Sequence, residues 1–198
     1  MRKKYRLALS PAAAALLRQE TPKTLDNVTT RITGSVRELC RAAADACRAE
    51  GYEPILLTDC LCCEAREAGS LLGSIARTHA GQGRKRAFIA GGETVVHLTG
   101  HGLGGRNQEL AVAAAAGIDG LPNTLIFSVG SDGTDGPTDA AGGLVTGEFA
   151  ARCREKELSI EKTLADNDAY NLLRQTDGLI VTGPTGTNVC DLTMLLVK

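Results

Sequence analysis

The chain has 198 residues, 43% of them apolar and 23% charged, with a formal net charge of −1. That balance excludes a disordered polymer and a basic nucleic-acid-binding surface as the main function. Aromatic residues are only 3% with no Trp, which also excludes a stacking platform for single-stranded bases. The length suffices for one domain with a substantial core.

The Ala-rich run Ala12–Leu17 is too short for a signal-peptide core. No stretch approaches the ~18 apolar residues of a membrane span, so the expected location is cytoplasmic, with no membrane partner. Seven cysteines without a secretory signal read as reduced thiols. Cys60, Cys62 and Cys63 lack a second ligand pair and are read as small buried apolar residues in preference to zinc ligands.

In chain order, Ser10 and Pro11 open a short helix as N-cap and first-turn proline. Val28–Thr33 alternates as a strand would. Val36–Glu50 carries a helical stripe through Val36, Leu39, Cys40, Ala43 and Cys47, ended by Gly51. Pro54–Thr58 is an apolar strand, and Glu64–His79 an amphipathic helix. This alternation of strand and helix predicts a sheet whose strands run in parallel. Arg86–Ala90 and Thr94–Leu98 are separated by only three residues, so they are expected as an antiparallel hairpin or a sharply bent pair. A helix at Asn107–Ala116, a strand at Thr124–Val129 and helices at 147–157 and 168–173 follow. Strands at Leu179–Thr182 and Leu192–Val197 close the chain. The fold class expected is α/β: a single domain with a mixed, mostly parallel sheet and helices on both faces.

Gly100, Gly102 and Gly105 spell G-x-G-x-x-G, the pattern of a dinucleotide-binding turn. That fingerprint needs an acidic residue at the end of the next strand, whereas Asp119 lies before Thr124–Val129. The context therefore disfavours a nicotinamide site. The glycines can still present backbone N–H groups, the following helix adds its positive end, and Arg106 supplies a bidentate fork, a combination suited to phosphate or carboxylate. The alternative is a plain turn in which Arg106 pairs with Glu109 or another carboxylate. Ser131–Gly142 places Asp132, Asp135 and Asp139 within eight residues. Such crowding suits a magnesium–phosphate site, or else turn-forming and capping aspartates. Thr182–Asp191 is a third glycine- and hydroxyl-rich loop after a strand, and three such loops form the rim expected of an α/β active site.

The blocks G-G-E-T (Gly91–Thr94), G-x-G-G-R-N-Q-E (Gly102–Glu109), D-G-T-D-G-P-T-D-A-A-G (Asp132–Gly142) and T-G-P-T-G-T-N-V-x-D-L (Thr182–Leu192) resemble the glycerate 2-kinase family in its C-terminal MOFRL domain. The chain as a whole resembles that domain, with 1–80 as a lead-in and 81–198 as the motif-bearing core. Cys63 stands where the family usually has glycine.

The resemblance implies transfer of the γ-phosphate of ATP to the 2-hydroxyl of D-glycerate, with Mg2+. It implies Arg106 as charge stabiliser, and Asp132 and Asp135 as metal ligands or acceptors of the hydroxyl proton. Glu93, Gly102, Gly104, Gly105, Asn107, Glu109, Thr134, Thr185, Thr187, Asn188 and Asp191 are implied as cleft-lining residues that bind substrate or phosphate. The family's larger N-terminal domain, which carries a catalytic lysine, has no counterpart in these residues. The chain alone is therefore expected to be weak or inactive until a separate N-terminal kinase half completes it. A homodimer through the uncovered face is a further expectation. The competing readings are a non-catalytic anion-binding module and a nicotinamide-dependent hydroxypyruvate reductase.

Overall fold

A computed structural model describes residues 8–198. By Cα proximity these residues fall into two units divided between Thr33 and Gly34. In the first, Ser10 caps helix α1 (Pro11–Leu16), its Oγ accepting from the Ala13 amide at 3.2 Å. Val28–Thr33 forms no strand. Its alternation buries nothing, Val28 and Ile32 being exposed, and a strand without a partner ladder leaves its backbone unpaired.

The second unit holds a six-stranded mixed sheet. Helix α2 (Val36–Ala49) starts at Ser35, whose Oγ caps Glu38, and Gly51 follows it in the left-handed region. Strand β1 (Glu53–Leu61) leads into α3 (Ala65–His79), then β2 (Arg86–Gly92), α4 (Arg106–Ile118) and β3 (Thr124–Gly130). Strand β4 (Gly142–Thr146), helices α5 (Phe149–Glu155), α6 (Ile160–Ala165) and α7 (Ala169–Gln175), the two-residue β5 (Leu179–Ile180) and β6 (Asp191–Val197) complete it.

The order across the sheet is β1-β2-β6-β3-β4-β5. Only β1 and β2 pair in parallel, and the other four neighbouring pairs are antiparallel. The expectation of a mostly parallel ladder is thus corrected: β4 and β5 add antiparallel pairs at one side, and one insertion makes the other two. Strands β2 and β3 both run antiparallel to β6, so β1, β2 and β3 share one direction, as helical crossovers require. The C-terminal strand has slipped between β2 and β3.

That insertion also removes the expected hairpin. With β1 on one side and β6 on the other, β2 has no free edge for Thr94–Leu98. This segment instead runs past the end of β1, where the Glu93 amide donates to Leu61 O at 2.7 Å and Val95 bridges Glu64. Strand β4 was hidden in sequence by its glycines. A Cβ on Gly143 would lie 2.6 Å from Leu173 Cδ1 and 3.3 Å from Ala111 Cβ, so the bare backbone admits α4 and α7.

Helices cover both faces. Cys40 and Cys47 of α2 pack on Ala87, Ile89 and Met194 on one face, and α3, α4, α5 and α7 build the larger core on the other. Cys60, Cys62 and Cys63, expected in the interior, are exposed at the end of the edge strand β1. No helix among the described residues is long and apolar enough to cross a membrane.

The tightest seam lies between α3 and α4, where Gly69 and Gly73 meet Ala113, Ala114 and Gly117. A Cβ on Gly73 would stand 2.9 Å from Gly117 Cα, and one on Gly69 3.0 Å from the Ala114 amide. Overpacking of a backbone–backbone contact costs about 1–3 kcal/mol. Gly69→Ala is therefore expected to lower the urea midpoint by that equivalent with an unchanged m-value, measured by circular dichroism.

Candidate active site

The antiparallel registers bring three loops to one edge of the sheet. Asp191 begins β6 opposite Gly92 at the end of β2 and opposite Gly130 at the end of β3. The loops leaving β2 and β3 and the loop entering β6 therefore start from adjacent points. A cavity of about 640 Å³ opens there, lined by Glu93, Thr94, Gly102, Gly104–Arg106, Glu109, Asp135, Gly136 and Asn167, with Val95, Val96 and Leu98 as an apolar wall.

Arg106 is the first residue of α4. Its Nε and Nη2 donate to Asp191 Oδ2 and Oδ1 at 2.6 and 3.0 Å, and its Nη1 stands 3.1 Å from Glu93 Oε1. The planar fork matches the carboxylate in a bidentate pair. Its partner is thus Asp191, not Glu109. Asp191 chiefly, with Glu93 in support, holds the guanidinium above its ordinary pKa.

Asp135 is 3% exposed. Its Oδ1 accepts from the Asn107 amide at 3.1 Å and Asn107 Nδ2 at 3.2 Å, and its Oδ2 accepts from the Gln108 amide at 2.9 Å. This carboxylate is the cap that Gly105, at the N-cap position, cannot supply itself. Burial pushes it up to about 6, against the opposing pull of these three N–H donors. Expected as a metal ligand or proton acceptor, Asp135 instead has both oxygens committed to α4. Asn107 lies beneath it and accepts from Ser128 Oγ at 2.5 Å, outside the cavity lining.

The glycine loop also differs from the expected anion nest. The amides of Gly100, His101, Gly102 and Leu103 donate to Asn167 Oδ1, Asp166 Oδ1, Asp166 O and Asp168 Oδ1, at 2.8–3.0 Å. The nest is filled by the chain's own residues, through two aspartate carboxylates and two neutral carbonyl oxygens. A Cβ on Gly102 would lie 2.6 Å from Asp168 Cα, so glycine is required for this clasp. A dinucleotide pyrophosphate needs those same N–H groups, which argues against the nicotinamide reading. Sequence reasoning missed the clasp residues Asp166, Asn167 and Asp168. Their only signal was an acidic–amide–acidic run between two short helices.

Glu109 does line the cavity but is held there by Arg66 Nε at 2.6 Å and Asn167 Nδ2 at 2.9 Å. Asp132, Thr134, Thr185, Thr187 and Asn188 do not line it. They form a neighbouring cluster in which Asp132 Oδ1 accepts from Thr134 N and Oγ1, and Oδ2 accepts from Asn188 Nδ2 at 3.2 Å. Thr185 ties the two loops together, donating through Oγ1 to Ser131 O at 2.6 Å, and Thr187 N donates back to Thr185 Oγ1. A Cβ on Gly130 would lie 2.5 Å from Thr134 O and 3.2 Å from Asp132 Oδ1, so this glycine lets the Thr134 carbonyl approach closely. Among the described residues no group of three or more His, Cys, Asp or Glu side chains is arranged to hold a metal ion.

The residues carrying this geometry fall within a longer match. The MOFRL family model matches residues 86–191. The chain belongs to the MOFRL family. It is 43% identical over 98% of its length to a D-glycerate 2-kinase of Thermotoga maritima, and 40% identical over 91% to a glycerate 2-kinase of Pyrococcus horikoshii, covering 48% and 43% of those proteins. A crystal structure of a glycerate kinase from Thermotoga maritima superposes with a TM-score of 0.91 and 42% identity, over 100% of this chain and 49% of that one. This MOFRL chain thus spans about half the length of the curated relatives it matches.

Two outcomes are expected from the clasp and the cap. Asn167→Ala removes the acceptor shared by the Thr99 and Gly100 amides and the donor to Glu109. It should cost about 2–4 kcal/mol, since several buried partners are left unsatisfied, and hydrogen exchange at 99–103 should accelerate. For Asp135 the folded pKa lies above the unfolded value, so the folded state binds the extra proton between about pH 4 and 6. Its contribution to stability is then full below pH 4 and lost as pH rises through 6. The stability difference between the wild type and Asp135→Asn, from denaturant titrations, should change across that window and be flat above pH 7.

Proposed function

We propose that this MOFRL chain forms one wall of a phosphoryl-transfer site, as the C-terminal half of an ATP-dependent D-glycerate 2-kinase completed by a separate N-terminal half. The observation that supports it is the convergence of Arg106, the Gly102–Gly105 loop and the acidic turn after β3 on one sheet edge. The names of the relatives add the chemistry, and this chain covers about half of their length.

In this reading the 2-hydroxyl of glycerate attacks the γ-phosphorus of ATP and gives its proton to a carboxylate of the acidic turn, the bond to the bridging oxygen breaks, and ADP leaves. Such a transfer has little covalent chemistry for the protein, which positions the groups and neutralises charge. Arg106 is the cation for that task. Its bidentate lock on Asp191 fixes the guanidinium at the head of α4, beside the positive end of the helix. Val95, Val96 and Leu98 give that wall an apolar surface.

Magnesium fits the donor set in a limited way. Asp132 and Asp135 each already accept three hydrogen bonds, and either carboxylate would hold it, with nucleotide oxygens and water completing the shell. When bound, magnesium supplies charge neutralisation to the phosphates. Thr134, Thr185, Thr187 and Asn188 then act by holding Asp132 and its loop in place.

The test is reconstitution. Co-expression with the lysine-bearing N-terminal half should give ATP- and D-glycerate-dependent formation of ADP, while the chain alone gives none. In the completed enzyme, Arg106→Lys keeps the charge but not the fork and should lower kcat by ~100-fold or more with a smaller change in KM. Vigorous turnover by the chain alone, or an unaffected Arg106→Lys enzyme, would reject this reading.

A further inference from the structure

Arg66, in the first turn of α3, does not line the cavity, yet it is the cation of a carboxylate that does. Its Nε donates to Glu109 Oε1 at 2.6 Å, and its Nη2 donates to Leu164 O in α6. Glu109 is 2% exposed, and its other oxygen accepts from Asn167 Nδ2 at 2.9 Å. Both oxygens are thus held by groups that lie outside α4.

Arg106 and Glu109 stand three residues apart on α4, and both line the cavity. Side chains at that spacing are neighbours on a helix surface, and an arginine and a glutamate placed so attract each other. They do not pair here. Arg106 gives Nε–H and one Nη2 hydrogen to Asp191, and its Nη1 stands 3.1 Å from Glu93. Asp191, Glu93 and Asp135 are the carboxylates whose charge raises its pKa, and Glu109 is not one of them. The guanidinium has five N–H donors, so this arrangement leaves some of them for an incoming oxyanion.

We propose that Arg66 is a positioning residue, which by holding Glu109 keeps that carboxylate off Arg106 and leaves the free N–H donors of Arg106 to the transferring group. The role deepens the kinase reading and rests on it. A buried carboxylate that loses its cation is strongly disfavoured and turns to another within reach. Among the described residues, Arg106 is the one cation lining the cavity that Glu109 lines. Arg66 therefore settles a competition between two residues of the same helix face, from a helix that never meets the substrate.

The test compares Arg66→Met in the wild-type and Glu109→Gln backgrounds. In the chain alone the readout is the 15N NMR signal of Arg106 Nε–H, and in the completed enzyme it is steady-state kinetics. With Glu109 present, Arg66→Met should move the Nε–H signal and lower kcat at least about tenfold, with a smaller change in KM. With Glu109→Gln the stray charge is gone, so adding Arg66→Met should leave the signal in place and change kcat by about twofold or less. Loss of a merely structural ion pair lowers Tm without moving the Arg106 signal. If Arg66→Met does not fold, Arg66→Gln keeps a neutral donor toward Glu109 and carries the same expectations. A signal that stays in place when Glu109 is present, or an equal loss of kcat in both backgrounds, would overturn the proposal. The kinase reading fails separately. A signal that moves only when Glu109 is present, in a completed protein that transfers no phosphate, would reject that reading and leave the hold of Arg66 on Glu109 standing.

Discussion

The buried carboxylate of Asp135 at the head of α4 is the contact on which the site depends. A helix start leaves backbone N–H groups without partners, and Gly105 has no side chain with which to cap them. Asp135 reaches in from the loop after β3 and takes two of these amides together with Asn107 Nδ2. The bond fixes the acidic turn against the glycine loop, and through α4 it fixes where Arg106 begins. Gly105 must be glycine for this approach, because a Cβ there would run into the carboxylate itself. Burial raises the pKa of this group, so the architecture tolerates an electrostatic penalty to keep the turn and the helix together.

A second constraint works from the sheet. By seating β6 between β2 and β3, the fold places Asp191 between Gly92 and Gly130 and delivers a carboxylate to the end of the row. Arg106 closes on it, so residues far apart in the chain form one rigid rim. The charges there are paired within the protein. Arg106 carries Asp191 and Glu93, Arg66 carries Glu109, and the aspartates of 166–168 hold the glycine loop.

Much of the local structure was legible in the residues. Ser10 and Ser35 cap helices where their side chains reach the third amide onward, and Gly51 ends α2 with a positive φ. The four glycine- and aspartate-rich blocks fall on loops at one edge of the sheet, as their turn chemistry requires. Their partners were not legible. The glycines of 100–102 suggested an exogenous anion, because the pattern shows that backbone N–H groups are freed and not what they meet. The acidic loop suggested a metal pair for the same reason, since crowded carboxylates demand donors and the nearest donors were helix amides from another block.

The sequence alone determined the helices other than α6, the sheet-forming runs β1, β2, β3 and β6, and the family, because those rest on periodicity, capping and contiguous motifs. Tertiary structure alone decided that β6 lies between β2 and β3, that Thr94–Leu98 is no strand, and that Asp135 caps α4 while Asp132 stands apart. Each of these depends on which edge of a strand is already occupied and which buried group needs a partner. Such pairings are set across more than 20 residues of chain, beyond the reach of local pattern.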